Sequence, residues 1–242
     1  MITTIYKAKG FTLVEMAIVL TIIGIMLGGF LVSLTAQLEL RSVAEARQLL
    51  GNAQEALMGY SLGNRHLPCP DKVAGADNGD NDRPNDGRED FDAATGTCIT
   101  QEGNLPWATL GLLENDPWEQ RLIYRVVAGF SQRPTPPLNS FGLATPSNIR
   151  VCNEAACNVP RLTDVAVAVV VSRGRNRGVC NTLPSLPACE DERQNDNGDN
   201  DFVSHEPRVA TLLTPNAEYD DIVVWLSGSI LINRMVAAGQ LP

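Results

Sequence analysis

One hexapeptide, Asp-Asn-Gly-Asp-Asn-Asp, occurs twice, at residues 77–82 and 196–201. It places Asp77, Asp80 and Asp82 around one glycine, and Asp196, Asp199 and Asp201 around another. Clustered carboxylate and amide oxygens are what a hard cation such as Ca²⁺ requires. The same residues also build solvated turns, and neither copy has the full EF-hand spacing, so an ion site and an ion-free turn both stay open. Gly59-Tyr60-Ser61-Leu62-Gly63 matches the G-x-S-x-G of serine hydrolases, a motif that works only where a strand-to-helix turn exposes the serine. Its flanks here are helical in pattern, and only His66 and His205 are available as bases, so a helix end is the preferred reading. Arg173, Arg175 and Arg177 form a basic loop suited to an acidic neighbour, to DNA or to plain solvent, the last preferred.

Six cysteines, at 69, 98, 152, 157, 180 and 189, all follow a long apolar segment. An even set lying in Pro-, Asn- and Asp-rich loops fits an oxidising compartment. The sequence-local pairs Cys69 with Cys98, Cys152 with Cys157, and Cys180 with Cys189 are preferred, with reduced buried cysteines as the alternative. Zinc is disfavoured because no C-x-x-C occurs. The formal charge of −9 repels phosphate backbones, so nucleic-acid binding is not expected. Lysine is confined to Lys7, Lys9 and Lys72.

The elements that must position these groups begin with a helix. Met16 to Leu34 is a run of nineteen residues without a charge. As a helix it spans roughly 28 Å, close to the ~30 Å of a bilayer's hydrocarbon layer. Glu15 stands directly before that run, where an unpaired carboxylate costs on the order of 2–3 kcal/mol. It therefore needs a partner, either its own helix amino terminus or a nearby amine. Gly24-x-x-x-Gly28 offers a surface for close helix approach. Beyond the run, Leu38, Val43, Leu49, Leu50, Ala53, Leu57 and Tyr60 recur at spacings near three and four, which extends the helix to about Leu62. Gly63-Asn64 should end it, with Pro68 beyond. The predicted organisation is a leader at 1–10, a membrane helix at 11–36, an amphipathic continuation at 37–63 and a head at 64–242.

The leader decides among the ways of reading such a segment. Met1 to Gly10 is short, polar and carries two lysines, and Gly10-Phe11-Thr12-Leu13-Val14-Glu15 joins it to the apolar run. This arrangement resembles a type IV prepilin. The resemblance implies cleavage between Gly10 and Phe11 by a prepilin peptidase, methylation of the Phe11 amine, and pairing of Glu15 with the Phe11 amine of a neighbouring subunit. It implies a single-pass inner-membrane precursor with a cytoplasmic amino terminus, later a periplasmic or cell-surface filament of the type IV pilus or type II secretion kind. Its partners are then the membrane, the peptidase and other pilin or pseudopilin subunits, and the protein is no enzyme. Many pilins carry a proline near the end of the apolar segment, where this chain reads Phe30-Leu31-Val32-Ser33. A membrane-tethered periplasmic binding or adhesive module is the alternative, and a secreted serine hydrolase the least favoured.

Strands are predicted at 121–127, 165–172 and 222–226, and a closing helix from Ser227 or Ser229 to Gly239. The fold class is therefore α+β and pilin-like, a long amino-terminal helix on a small, mostly antiparallel sheet. Asp116-Pro117-Trp118 resembles a segment of major pseudopilins, which hold calcium in an acidic head loop. Leu67-Pro68-Cys69-Pro70 and Asp220-Asp221-Ile222-Val223-Val224-Trp225 resemble elements of other pilin-like heads.

Overall fold

The computed structural model describes residues 12–79, 81–133, 140–158, 160–176, 190–208 and 218–241, and the side chains of 27–36 stand outside that description. Helix α1 runs unbroken over Leu13–Asn64. Arg65, rather than a glycine, takes the left-handed conformation that closes it, with φ of 66° and its amide bonded to the Ser61 carbonyl. Among the described residues no helix is long and apolar enough to cross a membrane. The predicted span runs into residues 27–36, so its second half falls outside the described side chains.

The chain divides into two compact units within α1, the first ending at Ser42 and the second beginning at Val43. The second unit is α+β. Its helices are the carboxyl-terminal part of α1, α2 (Trp107–Leu110), α3 (Ala128–Ser131), α4 (Glu190–Gln194) and α5 (Gly228–Ala237). Its strands are β1 (Glu102–Asn104), β2 (Ile123–Val126), β3 (Ile149–Cys152), β4 (Arg161–Ser172), β5 (Asp201–Val203) and β6 (Ile222–Ser227). β4 is the hub, pairing antiparallel with β2, β3 and β6. β1 extends the sheet antiparallel to β2, while β5 lies parallel to β3. The sheet is thus mixed.

Burial explains these elements. Leu49, Leu50, Ala53 and Leu57 lie on one helical face and are buried in one core with Tyr124, Val126, Val167, Val170, Leu226, Leu231 and Met235; Ala46, one turn earlier on that face, is also buried. The opposite face of the sheet has its own core of Ile123, Ile149, Val151, Val169, Val171 and Phe202. Residues 166–171 of β4 are buried on both faces, which is why that strand reads Ala-Val-Ala-Val-Val-Val without polar alternation. α5 begins at Gly228 after Ser227 and ends before Gly239, whose φ is +67°.

Candidate functional site

The start of α1 closes on a reciprocal pair of hydrogen bonds. The Glu15 amide donates to Thr12 Oγ1 at 3.2 Å, and the Glu15 carboxylate accepts from the Thr12 amide at 3.3 Å. Thr and Glu three positions apart thereby satisfy donors that the first helical turn leaves without partners. The carboxylate also lies at the positive end of the helix dipole. One of the two partners expected of Glu15 is therefore its own helix terminus. The other, the Phe11 amine, lies outside the described residues with Gly10. The Thr-x-x-Glu spacing signals this cap in sequence, and reading Glu15 by charge alone misses it.

Protein cations hold much of the two acidic hexapeptides. In the first, Asp82 pairs with the Lys72 ammonium, which also donates to the Ala76 carbonyl at 2.7 Å. That contact holds the Asp82 carboxyl below the usual range. Asp77 meets Arg83 at 3.0 Å, and Asp80 lies outside the described residues. In the second, Asp196 meets Arg173 at 2.6 Å and Asp201 pairs with Arg150 through both carboxylate oxygens. Asp199 accepts from Gln194 at 2.9 and 3.0 Å and from the Asp201 amide at 2.7 Å. Behind the first hexapeptide, buried Asp71 and Asp90 accept backbone amides of the same loop, from Asn85 and Gly87 and from Lys72 and Arg83 respectively. Burial still raises both carboxyls, Asp90 to about 6.

A different acidic cluster converges without being signalled by any motif. Glu192 of α4 and Asp220 and Asp221, just before β6, bring carboxylate oxygens within 4.8 Å of one another. Asn176 donates its side-chain amide to both Glu192 oxygens, at 2.8 and 2.9 Å, and its backbone amide to Asp220 Oδ2 at 2.9 Å. Asn195 donates to Asp221 Oδ2 at 2.8 Å. Burial pushes Glu192 up to about 7 and Asp220 to about 6, and raises Asp221 well above the carboxylate range. In sequence Asp220 and Asp221 read only as part of a strand motif, and nothing marks Glu192.

The description "prokaryotic N-terminal methylation motif" matches residues 5–31, which contain the Gly10-Phe11 junction, the Thr12–Glu15 cap and the apolar half of α1 up to Leu31. The amino terminus is of the prepilin type. No curated protein and no solved structure matches the chain. The methylation motif suggests a structural rather than a catalytic protein. Ser61 lies inside α1, fully buried, donating to the Met58 carbonyl of its own helix at 2.7 Å. His66 faces the Leu67 carbonyl, and His205 faces Asp191 at 3.1 Å.

The other singled-out residues lie in the second unit. Cys69 is bonded to Cys98 and Cys152 to Cys157, with Cα atoms 5.2 and 5.1 Å apart, while Cys180 and Cys189 lie outside the described residues. Arg173 and Arg175 are engaged by Asp196 and Glu218, and Arg177 lies outside the described residues. Asp116 is a tie: its Oδ1 accepts the amides of Trp118 and Gln120 at 3.0 and 2.9 Å, and its Oδ2 accepts the Ser172 hydroxyl of β4 at 2.6 Å. In the Leu-Pro-Cys-Pro element, the Pro68 carbonyl accepts the Tyr124 hydroxyl at 3.1 Å.

Proposed function

We propose that the chain is a filament subunit, a pilin or pseudopilin, cut between Gly10 and Phe11 by a prepilin peptidase, methylated on the new amine, and drawn from the inner membrane into a helical polymer. The observation that carries this reading is the methylation motif at 5–31, with an acidic residue seated in the first turn of an otherwise apolar helix. In this mechanism Glu15 is held by its own helix cap in the single subunit. On assembly it exchanges that cap for the Phe11 amine of a neighbour, and the exchange sets the axial register. A capped carboxylate is a reversible resting state, because its hydrogen bonds to Thr12 are exposed and weak compared with a charge pair formed out of water. Membrane helices then fill the filament centre and the α+β heads form its surface.

The test is expression with and without the prepilin peptidase, followed by mass spectrometry of the mature chain and recovery of sheared filaments. The expected result is a chain beginning at Phe11 only when the peptidase is present, and the protein in the filament fraction. Glu15→Val should leave membrane insertion intact and abolish incorporation. An unprocessed chain overturns the reading. A processed chain that never enters filaments points instead to a membrane-tethered module.

A further inference from the structure

We propose that Glu192, Asp220 and Asp221 form a divalent cation site, of the all-carboxylate kind that suits calcium, that ties the start of β6 to α4 and to the turn after β4. Three observations meet there. First, the three carboxylates come from two segments and each offers an oxygen within 4.8 Å of the others, close enough for one ion to bridge all three. An all-oxygen set of this kind suits a hard cation, and Ca²⁺ accepts irregular geometry at about 2.3–2.6 Å. Mg²⁺ needs a tighter shell of about 2.1 Å.

Second, the cluster keeps buried acceptor capacity. Asp221 is only 4% exposed, and its Oδ1 finds no hydrogen-bond partner among the described residues, as is also true of Asp220 Oδ1. On both residues the second oxygen is fixed by a named donor, Asn195 for Asp221 and the Asn176 backbone for Asp220. Outer donors of that sort orient first-layer ligands in metal sites. A buried carboxylate oxygen with no partner is costly, so something must satisfy it.

Third, no arginine or lysine side chain makes an ion pair with the cluster among the described residues. Arg173 pairs with Asp196 at 2.6 Å and Arg175 with Glu218 at 3.5 Å, and their charges reach Asp221 and Asp220 only from beyond ion-pair contact. This distinguishes the cluster from Asp77, Asp82, Asp196 and Asp201, each of which already faces an arginine or lysine. The turn is also shaped to admit the carboxylate. Gly174 has φ of +62°, and a Cβ there would stand 2.5 Å from Asp220 Oδ1. The calcium chemistry that the sequence suggests for the hexapeptides thus finds its better-prepared ligands elsewhere in the head.

The experiment uses the full chain in detergent, stripped with a chelator and then titrated with CaCl₂, MgCl₂ or TbCl₃. Calcium should raise the melting temperature where the same concentration of magnesium does not. Terbium should give saturable emission excited through Tyr219, the residue next to Asp220, and calcium should displace it. Asp221→Asn and Glu192→Gln should each weaken binding on the order of 10- to 100-fold, at least the scale of losing an outer partner. Asp77→Asn and Asp199→Asn should leave it unchanged. Should Asp221→Asn fail to fold, the half-buried Asp220→Asn gives the same readout. The proposal falls if neither calcium nor terbium binds, since the cluster then shares protons instead. It also falls if binding survives Asp221→Asn and Glu192→Gln but is lost with Asp77→Asn or Asp199→Asn.

Discussion

Removing the Cys69–Cys98 bond should cost the head more than removing Cys152–Cys157, by an amount the two loop lengths set. The first bond closes a separation of 29 residues and the second a separation of 5. If a cross-link acts by restricting the unfolded chain, the loop-entropy relation gives about 3.5 kcal/mol for the longer loop and about 2 kcal/mol for the shorter. Each substitution to alanine also removes a sulfur from the packing. Cys69 and Cys152 are both fully buried, so that loss is similar for the two pairs and largely cancels in the comparison. The difference, about 1.5 kcal/mol, is therefore the quantity to measure. Urea unfolding of the wild type, of Cys69→Ala/Cys98→Ala and of Cys152→Ala/Cys157→Ala, with the slope checked for constancy, supplies it. Equal costs, or a larger cost for the shorter loop, would refute the entropic reasoning and shift the weight to local packing around Cys152.

Asp90 is raised to about 6 by burial, so it holds its proton more tightly folded than unfolded. Its contribution to stability is greatest below about pH 4 and is lost as the pH rises through about 6. Relative to Asp90→Asn, the wild type should lose on the order of 1–2 kcal/mol between pH 4 and 7 after allowance for solvent screening, measured by unfolding at each pH. Leu57→Ala, at a fully buried position facing the first core, should destabilise the head by about 2–5 kcal/mol in the same assay. Asp116→Ala should cost about 1–3 kcal/mol, because it leaves the Ser172 hydroxyl and two amides without their acceptor. Thr12→Ala should remove about 1 kcal/mol from the first turn of α1, read as increased amide exchange there, with methylation of the processed chain unaffected.

The long helix was legible because its apolar spacing repeats over many turns and ends near Asn64, and β2, β4 and β6 were legible because each is a run of β-branched or aromatic residues. The three-residue strands β1 and β5 were not. Glu102–Asn104 and Asp201–Val203 contain too few apolar positions to show a period, and they become strands only because β2 and β3 present paired edges to them. The helix ends at Asn64, as Gly63-Asn64 indicates in sequence, but the left-handed conformation that closes it falls on Arg65, whose side chain reaches Gln240 Oε1 at 3.0 Å. The acidic hexapeptides drew attention because carboxylates adjacent in sequence are conspicuous. The partners of the second copy are distant along the chain, Arg150 from Asp201 and Arg173 from Asp196, so that neutralisation does not show in sequence, whereas Lys72 and Arg83 lie within ten residues of the carboxylates they meet in the first. Glu192 was hidden for the converse reason: its neighbours in space are 28 and 29 residues away.

Lys72 has a chemical consequence for work on the mature protein. Its ammonium is enclosed by Asp82 and the Ala76 carbonyl, with the side chain only 8% exposed, and the chain's other two lysines precede the proposed cut. A processed, folded subunit would then offer acylating reagents a single accessible amine, the one at its new terminus. Methylation of that nitrogen, which leaves a secondary amine that still acylates, becomes readable as a mass shift of the labelled terminus, and its burial against a neighbour's carboxylate as loss of labelling at one defined atom.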